Sequence, residues 1–138
     1  MAERAARRGE RKGCNLKKYN HYDLHFRFEI KNGIHFTNAQ YIHPLKQYLV
    51  QSYVTCFDRD LNVKAAVIFG SSVEFHCHSF SDLDICIERY DTEKGFRDYP
   101  QEYMEETDIV YFDAIGTHLK REIEQKGIVV FDREGAYV

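Results

Sequence analysis

No stretch of the 138-residue sequence approaches the run of roughly 18 to 20 apolar residues that a membrane-crossing helix needs. The N-terminus is basic and no apolar region follows it, so neither a transmembrane helix nor a secretory signal is expected, and the expected compartment is the cytosol. Cysteine is sparse. Cys14, Cys56, Cys77 and Cys86 show no CxxC spacing, which favours reduced thiols over a disulfide framework. Internal repeats and low-complexity segments are also missing, which excludes solenoids and arrays. The chain does have 43% hydrophobic and 14% aromatic content, enough for one core and short for two, so a single domain with extensions is expected.

Charge is divided unevenly. Residues 1–18 hold Arg4, Arg7, Arg8, Arg11, Lys12, Lys17 and Lys18 against Glu3 and Glu10, a net of +5, which leaves −8 on the rest of a chain whose total is −3. A basic arm on an acidic body has three readings: contact with RNA, folding against the body's own carboxylates, or a solvated terminus. The arm has no apolar stripe and no interleaved aromatics, so the solvated terminus is favoured and nucleic acid is the minor reading.

From Tyr19 the pattern changes. Tyr22, Leu24, Phe26, Phe28 and Ile30 alternate with His21, Asp23, His25, Arg27, Glu29 and Lys31, the period of a half-buried strand. Asn32-Gly33 marks a turn and Ile34 to Phe36 a return strand, so a β-hairpin extension is expected over residues 19–43. Pro44 then suits a first helical position, and Leu45, Tyr48, Leu49, Ser52, Tyr53, Cys56 and Phe57 follow at helical spacing, which predicts a helix packed on a sheet.

That sheet is expected to contain Val63 to Phe69, ended by Gly70, then Leu83 to Ile87, then a strand from Asp108, and a central-type strand over Ile128 to Phe131. A helix over Thr117 to Lys126 ended by Gly127 lies between the last two. The polar residues 89–107 read as a loop with a helical turn near Gln101 to Glu105. The fold class is therefore α/β (α+β), a small mixed sheet with helices packed on it, with residues 44–138 as the core domain. Along the second strand Asp82, Asp84 and Cys86 face one way and Leu83, Ile85 and Ile87 the other, so one face is expected to be core and the other chemistry.

Asp82 and Asp84, with a third carboxylate from a neighbouring strand, form a hard oxygen-donor set suited to Mg²⁺. Gly70 permits a sharp turn after its strand, which aims the amides of Ser71 and Ser72 at a phosphate. Asp113 is expected to cap the turn into the next helix, so Asp108 is preferred as the third carboxylate. His76-Cys77-His78 has the wrong spacing for common zinc sites and reads as exposed loop.

Gly70-Ser71, ten residues, then Asp82-Leu83-Asp84 resembles the GSx10DxD signature of the minimal nucleotidyltransferases in the DNA polymerase β superfamily, and Thr107 to Asp132 resembles that family's closing strand-helix-strand unit. The resemblance covers roughly residues 44–132. It implies that Asp82, Asp84 and Asp108 bind two Mg²⁺ ions, that Asp108 also helps deprotonate the acceptor, and that Gly70, Ser71 and Ser72 hold the phosphates of ATP or another nucleoside triphosphate. Members of this size often act as antitoxins that attach AMP to a ribonuclease toxin of the HEPN type. Two alternatives stand beside that role: a binding module that neutralises its partner by occlusion, and modification of a small, aminoglycoside-like acceptor. The sequence departs from the family pattern GSRARG, having Ser72-Val73-Glu74-Phe75, and Arg89, Lys94 and Arg97 are the candidate replacement cations.

Overall fold

Val63–Phe69 (β1) runs through the middle of a mixed four-stranded sheet and is buried along nearly its whole length. The computed structural model describes residues 25–100 and 107–137. Helix α1 (Pro44–Arg59) precedes β1, and Leu83–Arg89 (β2), Thr107–Tyr111 (β3), α2 (Thr117–Lys126) and Ile128–Asp132 (β4) come after it. The strand order is β3-β2-β1-β4. β1 is antiparallel to both β2 and β4, whereas β2 and β3 are parallel.

Both faces of β1 are covered, because its alternate side chains serve two clusters. Ala66 and Ile68 join Leu83, Ile85, Ile87, Ile128 and Val130 against Leu49, Val50, Tyr53 and Phe57 of α1. Ala65, Val67 and Phe69 join Cys86, Phe112 and Val129 against Ile123 of α2. A strand buried on two faces reads as a continuous apolar run, which is why VKAAVIF is legible without alternation. The expected division of β2 into a core face and a chemical face is corrected here: Cys86 is buried in the α2-side cluster, so the carboxylates occupy only the rim of a face that is otherwise core.

The N-terminus of α1 has Pro44 at its first turn, and His43 Nδ1 accepts a hydrogen bond from Leu45 N at 3.2 Å. At the other end Arg133 donates to the carbonyls of Phe57 (2.8 Å) and Asp60 (3.0 Å), adding a second donor to each beside Asp60 N and Val63 N. Helix α2 ends at Gly127 as expected, for reasons of space: a β-carbon there would lie 2.6 Å from the carbonyl oxygen of Ile123.

Three expectations are corrected. Residues 25–36 form no strand, so the described part of the expected hairpin is absent, although Asn32-Gly33 does turn, with Gly33 at φ 87°. The segment is instead an irregular strap over α1, held by side chains: Gln47 accepts from Lys31 N (2.8 Å) and donates to Glu29 O (2.9 Å), while Gln51 accepts from His35 N (2.8 Å) and donates to Gly33 O (2.9 Å). The alternating residues are not the ones that reach the core: Phe26 and Ile30 are about half exposed, and the buried apolar side chains come later, from Ile34, Phe36, Tyr41 and Ile42. Second, Leu45 and Tyr48 point outward, about half exposed, and the inward stripe contains Lys46 and Gln47 instead. Third, β4 stands last in the order of the described strands rather than within it; both its faces are buried, and Asn38 Nδ2 donates to Val129 O at 2.7 Å. The basic arm over 1–18 and the turn near Gln101 to Glu105 lie outside the described residues. No described helix is long and apolar enough to cross a membrane.

Candidate functional site

The parallel pairing of β2 and β3 sets Asp84 directly opposite Asp108, on adjacent strands whose backbones lie about 4.8 Å apart. Both residues sit at the starts of their strands. Because β1 is antiparallel to β2, its last residue, Phe69, pairs with Asp84, which delivers the Gly70–Val73 turn to the same rim. The sheet thus gathers the glycine turn and the candidate carboxylates from three chain segments.

Gly70 adopts φ 76°, a left-handed conformation that other residues seldom adopt, and a β-carbon on it would collide with Asp84 Oδ2. The glycine therefore does more than turn the chain: it lets the backbone lie directly against a carboxylate. The chain continues into a four-residue 3-10 turn rather than a full helix, closed by Glu74 N donating to Ser71 O at 3.0 Å. Ser71 is half-buried. Ser72 is fully buried, its hydroxyl has no hydrogen-bond partner among the described residues, and its carbonyl accepts from His43 N at 2.8 Å. Contact from Ser72 to a bound group would run through its main chain.

The electrostatics of the rim centre on Asp84. Partial burial, then the charges of Asp108, Asp82 and Glu122, push its pKa up to about 6. Asp82 and Asp108 are exposed, where water screens them. Such a concentration of negative charge is relieved by a cation, and carboxylate oxygens are the donors that hard divalent ions prefer. The donors fit such an ion in kind and in charge. Among the described residues, no group of three or more His, Cys, Asp or Glu is drawn together closely enough to hold a metal ion.

Asp113 lies elsewhere. Arg89 donates to both of its carboxylate oxygens, each at 3.0 Å, and holds its pKa below the usual carboxylate range. Asp113 is thus an ion-pair partner; the residue at the start of α2 is Gly116, which makes no side-chain cap. The same contact corrects the expectation for the replacement cations. Arg89 ends β2, about 17 Å along the strand from Asp84, with its guanidinium over the Tyr111 ring at 3.9 Å. The loop beyond it is tied to the start of β1, since Asn62 donates to the carbonyls of Asp91 (3.1 Å) and Lys94 (3.3 Å). Lys94 and Arg97 line a cleft with Asp60 and Asp98 at that far end. In the His76-Cys77-His78 segment Cys77 is buried and both histidines are exposed. The described cysteines, Cys56, Cys77 and Cys86, are all buried and form no disulfide with one another.

Two charged residues near the rim have no place in the motif. Glu122 comes from α2, and its field is felt at Asp84; it neighbours Leu119 and Ile123 of the inward stripe. Lys46 is 1% exposed, with Nζ 3.5 Å from Ser79 O in the loop between the turn and Asp82. Its spacing of three and seven from Leu49 and Tyr53 was the available signal that it points inward.

Among curated proteins none matches the sequence. A family model described as polymerase beta, nucleotidyltransferase matches residues 51–136, a span that contains the glycine turn, all three candidate aspartates, α2 and β4. The chain belongs to the polymerase beta nucleotidyltransferase family.

Proposed function

We propose that this protein transfers a nucleoside monophosphate, most naturally AMP from ATP, to a hydroxyl presented by a partner macromolecule. The observation that carries the reading is the register of Asp84 with Asp108 beneath the Gly70 turn, since a turn against paired carboxylates supports a role in holding phosphate beside a cation. Asp82, Asp84 and Asp108 would hold divalent cations of the Mg²⁺ kind. When bound, such ions supply positive charge that screens the triphosphate and stabilises the departing pyrophosphate. In this reading the backbone of Gly70, Ser71 and Ser72 orients the phosphates, and the exposed Asp108 carboxylate takes the acceptor's proton. The acceptor oxygen bonds to the α-phosphorus as the bond to the β-phosphate oxygen breaks.

Phe75 and Phe80, 69% and 90% exposed in the loop beside the rim, offer apolar area to a partner, which supports a macromolecular acceptor such as a helical ribonuclease toxin. The altered turn sequence favours a second reading, in which the chain binds such a partner without modifying it.

The test is pull-down from the native host with the full chain, then labelled ATP and MgCl₂, with intact-mass measurement of every co-purified protein. The expected result is a gain of one or more AMP units on a partner, absent with Asp84→Asn. A stable complex with no added mass would favour occlusion. Efficient turnover of a free small alcohol by the isolated chain would overturn the macromolecular acceptor.

A further inference from the structure

Between the N-terminal strap, the glycine turn and the last turn of α2 lies a cavity of about 280 Å³, lined by His25, Phe26, Val73, Glu74, Gln125 and Lys126. Three separate parts of the chain form its walls, and two of them meet where His25 Nε2 lies 3.1 Å from Lys126 O. The cavity stands close to the carboxylate rim. Val73 ends the four-residue 3-10 turn that Gly70 begins, and at roughly 2 Å of rise per residue the two lie roughly 6 Å apart. Gly70 is the residue packed against Asp84, so a gap that one ribose bridges separates the cavity from the carboxylate.

The lining chemistry suits a base better than a phosphate. Glu74 is partly buried, and neither its carboxylate nor the Gln125 amide is engaged by another group among the described residues. A carboxylate repels phosphate and accepts from an amino group. Gln125 offers a donor and an acceptor side by side, the pair that matches the amino group and ring nitrogen of adenine.

Phe26 supplies the face. Its ring is half exposed, and its centroid lies 5.8 Å from that of Phe75 and 6.4 Å from that of Phe28. A supported ring with one side open is a stacking surface for any base. The volume, at the lower end for ligand cavities, holds a base and not a whole nucleotide.

We propose that this cavity takes the nucleobase of the donor nucleotide and selects an aminopurine: Phe26 stacks on it, Glu74 accepts from its exocyclic amino group, and Gln125 reads the neighbouring ring nitrogen. The assignment rests on the nucleotidyl-transfer reading and adds a base preference to it. It lays the nucleotide along the rim with the base beyond Val73 and the α-phosphorus at Gly70 and Asp84. Glu74, whose charge opposes phosphate, has a role in this arrangement.

Titration calorimetry on the full chain with MgCl₂ tests it. The probes are ATP, purine riboside triphosphate, which differs from ATP only in lacking the 6-amino group, and inorganic tripolyphosphate. The proteins are wild type, Glu74→Ala, Phe26→Leu and Lys126→Met, each checked for folding by thermal melting. Wild type should bind ATP roughly tenfold or more tighter than purine riboside triphosphate, because a site built to receive an N–H discriminates against the analogue without one. Glu74→Ala should lose that gap while its tripolyphosphate affinity holds or rises, since a repulsive charge is gone. Phe26→Leu should weaken both nucleotides by roughly tenfold and leave tripolyphosphate unchanged. Equal affinity of wild type for ATP and purine riboside triphosphate overturns the assignment, as does a gap that persists in Glu74→Ala or a parallel loss of tripolyphosphate in that variant. Loss of tripolyphosphate affinity in Lys126→Met as large as its loss for ATP would show that the cavity holds phosphate, and overturns it too. A wild-type chain that binds neither ATP nor tripolyphosphate overturns the nucleotidyl-transfer reading itself.

Discussion

Gly70 and Asp84 pack so closely that the glycine has no room for a side chain: a β-carbon would overlap Asp84 Oδ2. The turn and the carboxylate are therefore one object, and neither moves without the other. The left-handed φ of Gly70 adds a second constraint. Gly70→Ala should cost roughly 1 to 2 kcal/mol from the backbone alone, with more from displacement of Asp84. Denaturant unfolding measures the first part and nucleotide binding the second. A variant with wild-type stability and binding would show that the turn relaxes freely, and the coupling would be wrong.

Asp84 should make the metal-free protein less stable as the solution approaches neutrality. Its folded pKa, about 6, lies above the ordinary value of 3.8, so the folded state binds more protons than the unfolded state between those values. Stability then falls as pH rises from about 4 to about 6 and stays lower above that. Asp84→Asn removes the penalty. At pH 7 it should stabilise the metal-free chain by about 1 kcal/mol, a nominal two-unit shift discounted because the group is half-exposed and screened. Below pH 4 the gain should vanish. Thermal melts of both proteins across pH 4 to 8 decide it, and a destabilised Asn variant at pH 7 would contradict the charge-crowding account.

Arg89 should matter for folding and not for nucleotide binding. It is bound to Asp113 at two points, stacked on Tyr111 and donating to Lys94 O at 3.0 Å, so its loss opens the joint between β2, the turn after β3 and the far loop. A bidentate pair with its arginine largely covered and stacked on a ring contributes more than a fully solvated one. Arg89→Met should cost about 1 to 3 kcal/mol while ATP affinity of the folded protein stays unchanged. Loss of affinity without loss of stability would return Arg89 to the site.

The elements legible in the sequence are those whose two faces, or one face, are decided by local composition. Val63 to Phe69 is too short for a helix and apolar throughout; Thr117 to Lys126 carries one inward stripe and stops at a glycine with no space for a side chain. The spacing from Gly70 to Asp84 was legible for a different reason, because a turn and a strand start separated by a fixed connection must meet at one sheet edge. The hidden features depended on partners distant in sequence. Alternation specifies an extended chain but not whether another strand pairs with it; across residues 29–35 it is Gln47 and Gln51 of a helix that take up backbone groups. Arg89 was misplaced because proximity in sequence to Asp84 is not proximity along a strand. Glu122 acts on Asp84 from a helix after the motif, and no motif spacing points to it.

The strap is the remaining prediction, and it separates two parts of the N-terminal region that composition alone treats as one extension. Residues 1–18 carry charge without apolar periodicity, so a chain beginning at residue 19 should bind nucleotide as the full chain does. Residues 25–43 are different. Ile34, Phe36, Tyr41 and Ile42 are buried in the α1-side core, and at about 1.5 to 3 kcal/mol for each large side chain their removal rivals the whole stability of a small domain, about 5 to 15 kcal/mol. A chain beginning at Pro44 should therefore fail to fold, even though it retains every residue matched by the family model. Gln47→Ala grades the same dependence. The side chain is fully buried, donates to Glu29 O and Ile42 O and accepts from Lys31 N. Its loss strands three backbone groups and should cost roughly 2 to 3 kcal/mol. Circular dichroism and urea unfolding of the two truncations and the point variant provide the comparison. A cooperatively folded chain from residue 44, with the melting temperature of the full protein, would mean that the strap lies on a finished core rather than completing it.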